Sequence, residues 1–114
     1  MTNTVSESYN HSKHIYYYRT KDGLQDYRFS FEEQPDQTWR AYILVQPDYG
    51  SHSSASFEVH RNQDRDHNYW VDWQPDLVCS KQDAMTIAAF WAESNQIYLK
   101  SGIWPCREEV IKSC

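Results

Sequence analysis

The chain has 114 residues, the length of one ordinary domain, and no break in composition divides it. Its formal net charge of -5 argues against unassisted binding to nucleic acid, which depends on Lys and Arg neutralising phosphates. No run approaches the roughly 18 consecutive apolar residues of a membrane-spanning helix, so a membrane is not expected as a partner.

Residues 1–13 are polar and rich in Ser, Thr and Asn, without the apolar stretch of a signal peptide. They read as a disordered lead to a single domain over residues 14–114, and a cytoplasmic location is expected. Three Cys, an odd number, fit free thiols in a reducing compartment. Cys79 is expected to be packed, and Cys106 and Cys114 more exposed.

Residues 14–21 read as a strand, closed by Asp22-Gly23, a dipeptide suited to a tight hairpin. Residues 24–33 form the return strand, with Tyr27, Phe29 and Phe31 on one face and Asp26, Arg28, Ser30 and Glu32 on the other. After Gln34-Pro35-Asp36, residues 38–46 give a third strand with Trp39, Ala41, Ile43 and Val45 on one face and Tyr42 and Leu44 on the other. Apolar residues on both faces mark it as central. A loop to Ser54 leads to an expected fourth strand over 55–60, a wholly polar loop over 61–67, and a fifth strand over 68–74. Gln-Pro-Asp recurs at Gln34, Gln46 and Gln74, each time at a strand end, where Pro with a fixed φ followed by Asp is ordinary turn chemistry.

The period then changes from two to about 3.6. Ser80 supplies an N-cap with Asp83 three positions on, and Gly102 supplies the left-handed stop. Between Ala84 and Ala92 only Thr86 is polar, so the apolar surface exceeds the single stripe that a helix lying on a sheet needs. Ile103, Trp104, Val110 and Ile111 are expected to fold back over the surplus, with a homodimer through the helix as the alternative. Pro105 is placed to open a short final helix. The fold class is therefore α+β: an antiparallel meander of about five strands with one long C-terminal helix packed on one face.

No motif of high specificity for catalysis, phosphate or metal is present. With three Gly in the chain, a phosphate-cradling loop is disfavoured. The polar segment His60, Asp64, Asp66, His67 holds metal-competent residue types, and His60 and His67 are expected at the base of one hairpin. Its spacing matches no established ligand pattern, so these four are metal-site candidates only as an alternative. No catalytic residue and no cofactor are assigned.

Rings are the more informative feature: nine Tyr, five Trp and four Phe make up 16% of the chain. Tyr and Trp combine apolar area with a polar atom that wants a partner, which suits half-buried positions and interfaces. The sheet face opposite the helix is expected to carry Tyr16 and Tyr18 (or Tyr17), Tyr42, Leu44 and Trp70 among Arg19, Arg28, Arg40 and Glu58, and Arg61 and Arg65 on the polar loop are further interface candidates. The expected function is a small non-enzymatic binding protein acting through a protein–protein interface, such as an inhibitor or adaptor, for example of a nucleic-acid enzyme. The alternatives are a small metal-dependent or acid–base enzyme using the His60–His67 loop, and a homodimeric structural module.

Overall fold

Alternating rings and polar side chains over Asp26–Glu33 make a strand that buries one face and wets the other, and the sheet is built around it. The computed structural model describes residues 5–10 and 13–112. The sheet contains β1 (Val5–Asn10), β2 (Lys13–Arg19), β3 (Asp26–Glu33), β4 (Trp39–Val45), β5 (Arg61–Gln63) and β6 (Tyr69–Val71). Among the described residues the helices are α1 (Ser56–Val59), α2 (Lys81–Ser101) and α3 (Arg107–Lys112), with a 3-10 turn over Pro75–Leu77. All strand pairs are antiparallel, in the spatial order β1-β2-β3-β4-β6-β5. This is the expected α+β arrangement, with the long helix on one face of the sheet. No helix among the described residues is long and apolar enough to cross a membrane.

Four details differ from the sequence expectation. Val5–Asn10 pairs along β2, from Val5 opposite Tyr18 to Asn10 opposite Lys13, where a disordered lead was expected. Residues 1–4 and 11–12 of that lead lie outside the described residues. The meander also breaks after β4, because β6 returns inside β5 to pair with β4.

The expected fourth strand over 55–60 is instead a helical turn, closed by His60 in the left-handed region at φ 53. Its pattern Ser-Phe-Glu-Val fits period two, but a strand would send Phe57 and Val59 to the same side. The helical turn separates them, leaving Phe57 81% exposed and Val59 fully buried. The strand begins only after this turn, at polar Arg61–Gln63 on the sheet's outer edge, where polar sequences are common.

A bulge is the fourth difference. Arg28 opposes Val45 while Phe29 opposes Ile43, so Leu44 is an extra residue in β4. Beyond it the parity of β4 inverts, and Val45 joins the wet face instead of the core.

The core is formed by rings from the sheet and small residues from the helix. Tyr16, Tyr18, Tyr27, Phe29 and Phe31 are buried with Ala41, Ile43 and Val71. Facing them, Ala84, Ala88 and Ala92 recur at every fourth position of α2, beside a second stripe of Ile87, Trp91, Asn95 and Tyr98. A methyl stripe lets the helix come close to a ring-covered sheet. Ser80 accepts the Asp83 N–H at 3.0 Å, and Gly102 closes the helix at φ 78 by donating to the Tyr98 carbonyl at 2.7 Å.

The C-terminal segment covers α2 in part as expected: Trp104 packs against the core rings and Val110 is buried. Ile103 does not join them and is 73% exposed, because the turn after Gly102 directs it to solvent. Ile111 is a position whose side chain lies outside the described residues. Cys79, expected to be packed, is exposed and donates its thiol to the Asp76 carbonyl at 3.1 Å. It precedes the N-cap, at the outer rim of the sheet–helix junction.

Asp22 ties the β2–β3 hairpin to the far end of α2. It accepts from the Thr20 hydroxyl at 2.7 Å, the Leu24 N–H at 2.9 Å and Gln96 Nε2 at 2.9 Å, and it pairs with Lys100 Nζ at 2.7 Å. Burial raises the affinity of this carboxyl for a proton, but Lys100, Thr20, Leu24 and Gln96 together outweigh it and hold Asp22 well below the usual carboxylate range. A depressed folded-state value means that the stabilisation is complete above about pH 4 and is lost as the pH falls below it. Asp22→Asn is therefore expected to lower stability by about 1–2 kcal/mol at pH 7 and by less at pH 3. Thermal melts at both pH values check this, and an equal deficit at pH 3 and pH 7 would count against the network.

Candidate site on the uncovered sheet face

Each strand sends alternate side chains away from α2, and the register decides which. Tyr17 opposes Arg28, and Arg28 opposes Val45, giving one cross-strand row over β2, β3 and β4. The next row runs from Ser30 through Tyr42 and Trp70 to Asn62. Glu32 opposes Arg40 one step further on. None of the described helices lies on this side: α2 packs on β3, β4 and β6 from the core side, α3 on α2, and α1 beside β5.

The cations on this face lie over rings. Arg28 Cζ stands 4.9 Å from the Tyr17 ring centre, and Arg40 Cζ stands 4.1 Å from that of Trp70. Arg40 Nη1 also donates to the Tyr42 hydroxyl at 3.1 Å. A guanidinium stacked on a ring keeps its in-plane N–H groups directed outward, where they can meet a carboxylate or carbonyl. Arg19, by contrast, spends its donors on Asp26, with Nε to Oδ1 at 2.8 Å. Leu44 and Val45, 38% and 44% exposed, add an apolar edge to the arginine–ring rows.

Tyr16 and Tyr18 are not on this face. They are 6% and 2% exposed, under the helix, with the Tyr18 hydroxyl donating to Glu93 and the Tyr16 ring 4.9 Å from Phe31. Three consecutive tyrosines leave period two without a parity, and the pairing with β3 sets it: Tyr18 opposes Tyr27 and Tyr16 opposes Phe29. A signal was present in the sequence. A hairpin symmetric about the Asp22–Gly23 bond pairs Tyr18 with Tyr27, which places Tyr17 alone on the wet side.

Arg61 is also misplaced by the sequence reading. It opposes Val71 on the helix side of β5, is 8% exposed, and lies with Cζ 3.7 Å from the Tyr69 ring centre and 5.1 Å from that of Tyr49. Nη1 donates to Gln46 Oε1 at 2.7 Å. Arg61 thus fastens the loop after β4 to the sheet and offers nothing to the uncovered face. Arg65 is exposed at the β5–β6 turn tip, apart from the two rows.

The four metal-site candidates do not converge. His60 precedes β5, accepting the Asp72 N–H on its carbonyl at 2.9 Å, whereas His67 sits in the turn beyond the other end at φ 66. At ~3.3 Å per residue the intervening strand separates them by on the order of 10 Å. Asp64 anchors that turn by accepting the N–H groups of Asp66 and Asn68, both at 2.9 Å. The Asn68 N–H, with lesser help from Asp66, the Asn68 side chain and Tyr42, holds its carboxyl below the usual range. Asp66 is exposed beside it. Among the described residues no group of three or more His, Cys, Asp or Glu side chains is placed to hold a metal ion.

No family model, curated protein or solved structure matches this chain. The functional reading therefore rests on the geometry of the uncovered face.

Proposed function

We propose that this protein is a non-enzymatic binding module that engages a protein partner through the uncovered sheet face, in the manner of a small inhibitor or adaptor. The observation that carries this reading is the pair of arginine–ring stacks on one face, Arg28 on Tyr17 across β2 and β3 and Arg40 on Trp70 across β4 and β6, with exposed Leu44 and Val45 beside Arg28. Arg, Tyr and Trp are the residue types that dominate binding energy at protein interfaces. The outward donors favour a partner surface bearing carboxylates and backbone carbonyls. Trp104 packs against the core rings at the flank of α2 and Val110 is buried, so part of the helix's apolar surplus is covered within the chain, which supports a hetero-partner at the sheet over a homodimer through the helix.

The test places a photo-crosslinking residue at Tyr17 and, as a control, at Leu77, which is exposed off this face. Proteins joined only from position 17 are then purified and titrated against Arg28→Glu, Arg40→Glu and Trp70→Ala. Each variant is expected to weaken binding by about 30-fold, the loss of roughly 2 kcal/mol typical of a central interface residue. Equal crosslinking from both positions, or unchanged affinity in all three variants with melts like the parent's, would overturn the reading.

A further inference from the structure

On the other side of the molecule, a cleft of about 320 Å³ opens between α2, the segment after Gly102 and the end of β6. Trp73, Phe90 and Trp104 form its walls, each half-buried, and Trp91, 2% exposed, closes the floor. The Trp73 and Phe90 rings meet edge to face at 5.7 Å, and Trp104 lies 6.5 Å from Trp91 and 4.9 Å from the His60 ring. A cavity of roughly 150 Å³ already accepts a benzene ring, so this one has room for a bicyclic aromatic. Walls of rings with a few polar groups at the rim are the composition of small-molecule sites.

The polar groups at the rim select the ligand. Asp72 and Arg107 both line the mouth but form no ion pair with each other. Asp72 is already engaged, accepting from Asn62 Nδ2 at 3.1 Å. Arg107 makes no hydrogen bond or ion pair among the described residues, so its forked donors are the unsatisfied charge at the opening. We propose that this cleft binds a small aromatic carboxylate, with its ring held among Trp73, Phe90 and Trp104 and its carboxylate taken by Arg107. Asp72, on the same rim, disfavours ligands carrying more than one negative charge. The site does not share a residue with the uncovered sheet face, and its failure would leave that reading intact.

The full chain is titrated with indole-3-acetate, neutral indole and tryptamine, following the indole N–H signals of Trp73 and Trp104 by NMR and the heat of binding by calorimetry. Indole-3-acetate is expected to give saturable shifts at both tryptophans. Indole and tryptamine are each expected to bind about 10-fold more weakly, the worth of one charge-assisted pair. Arg107→Gln, an exposed change that leaves the walls in place, is expected to remove the carboxylate's advantage over indole, while Asp72→Asn tightens indole-3-acetate binding. Absence of saturable shifts, tryptamine binding as tightly as indole-3-acetate, or an unchanged preference in Arg107→Gln would each overturn the proposal.

Discussion

Replacing Trp91 with alanine is expected to destabilise the fold by about 3–5 kcal/mol, read from urea unfolding curves with an unchanged slope. Domains of this size hold only about 5–15 kcal/mol in total, so the variant sits at the edge of folding. Trp91 is 2% exposed and meets three other rings: Tyr27 at 5.8 Å and 86°, Phe29 at 6.4 Å and 83°, and Trp104 at 6.5 Å. It is the place where sheet, helix and C-terminal cover touch one side chain. Its indole N–H also donates to the Val59 carbonyl at 2.8 Å, closing the turn of α1 onto the core. Alanine removes the volume, the edge-to-face contacts and the donor together, and the neighbouring stripe of Ala88 and Ala92 has no side chain long enough to fill the space. Trp91→Phe separates these contributions. It retains most of the ring area but leaves the buried carbonyl unpaired, with an expected loss of about 1.5–3 kcal/mol. A loss below about 1 kcal/mol for the alanine variant would mean that Trp91 is not the keystone of the core.

The second large effect is expected at Asn95, a fully buried amide in the apolar stripe of α2. The Tyr49 hydroxyl donates to its Oδ1 at 2.7 Å, and its Nδ2 donates to the Tyr27 hydroxyl at 2.8 Å. One side chain thereby satisfies a strand residue and a loop residue, both buried. Burial holds the Tyr27 phenol well above its ordinary value, with the Asn95 hydrogen bond pulling the other way, so it stays neutral and available as an acceptor. Asn95→Leu strands both hydroxyls and is expected to cost about 2–4 kcal/mol. Asn95→Asp adds a signature that packing loss lacks. A carboxyl at this position has its folded-state value raised, so stability is retained below about pH 4 and falls with rising pH by up to about 1.4 kcal/mol per unit until the folded group ionises. Unfolding curves for Asn95→Asp at pH 4 and pH 7 test this, and a pH-independent deficit would place the amide outside the buried relay.

Both predictions concern the half of the molecule that periodicity described well. The stripe of α2, its Ser80 cap and its Gly102 stop depend on residues within a turn of one another, and so does the inward set Tyr27, Phe29 and Phe31 of β3. Neither needs information from distant sequence. The candidate site was legible only in part. Arg28, Arg40, Tyr42 and Trp70 share a face as expected, whereas Tyr16, Tyr18 and Arg61 lie under the helix. A tyrosine triplet has no alternation to read. An arginine at an edge strand looks solvent-bound until two tyrosines from elsewhere enclose it.

The cleft proposed to bind an aromatic carboxylate was not legible at all. Its walls and floor come from positions 73, 90, 91 and 104, and three separate elements must dock before those rings surround a space.

From its order of residues alone, then, the chain determined that a ring-rich sheet would feed one long capped helix, because hydrogen bonding and side-chain alternation are local and repeat every two or 3.6 residues. Packing decided the rest. The return of β6 inside β5, the parity flip at Leu44 and the side taken by each tyrosine all follow from which strand pairs with which. A shift of one residue in that pairing exchanges the buried set for the exposed one.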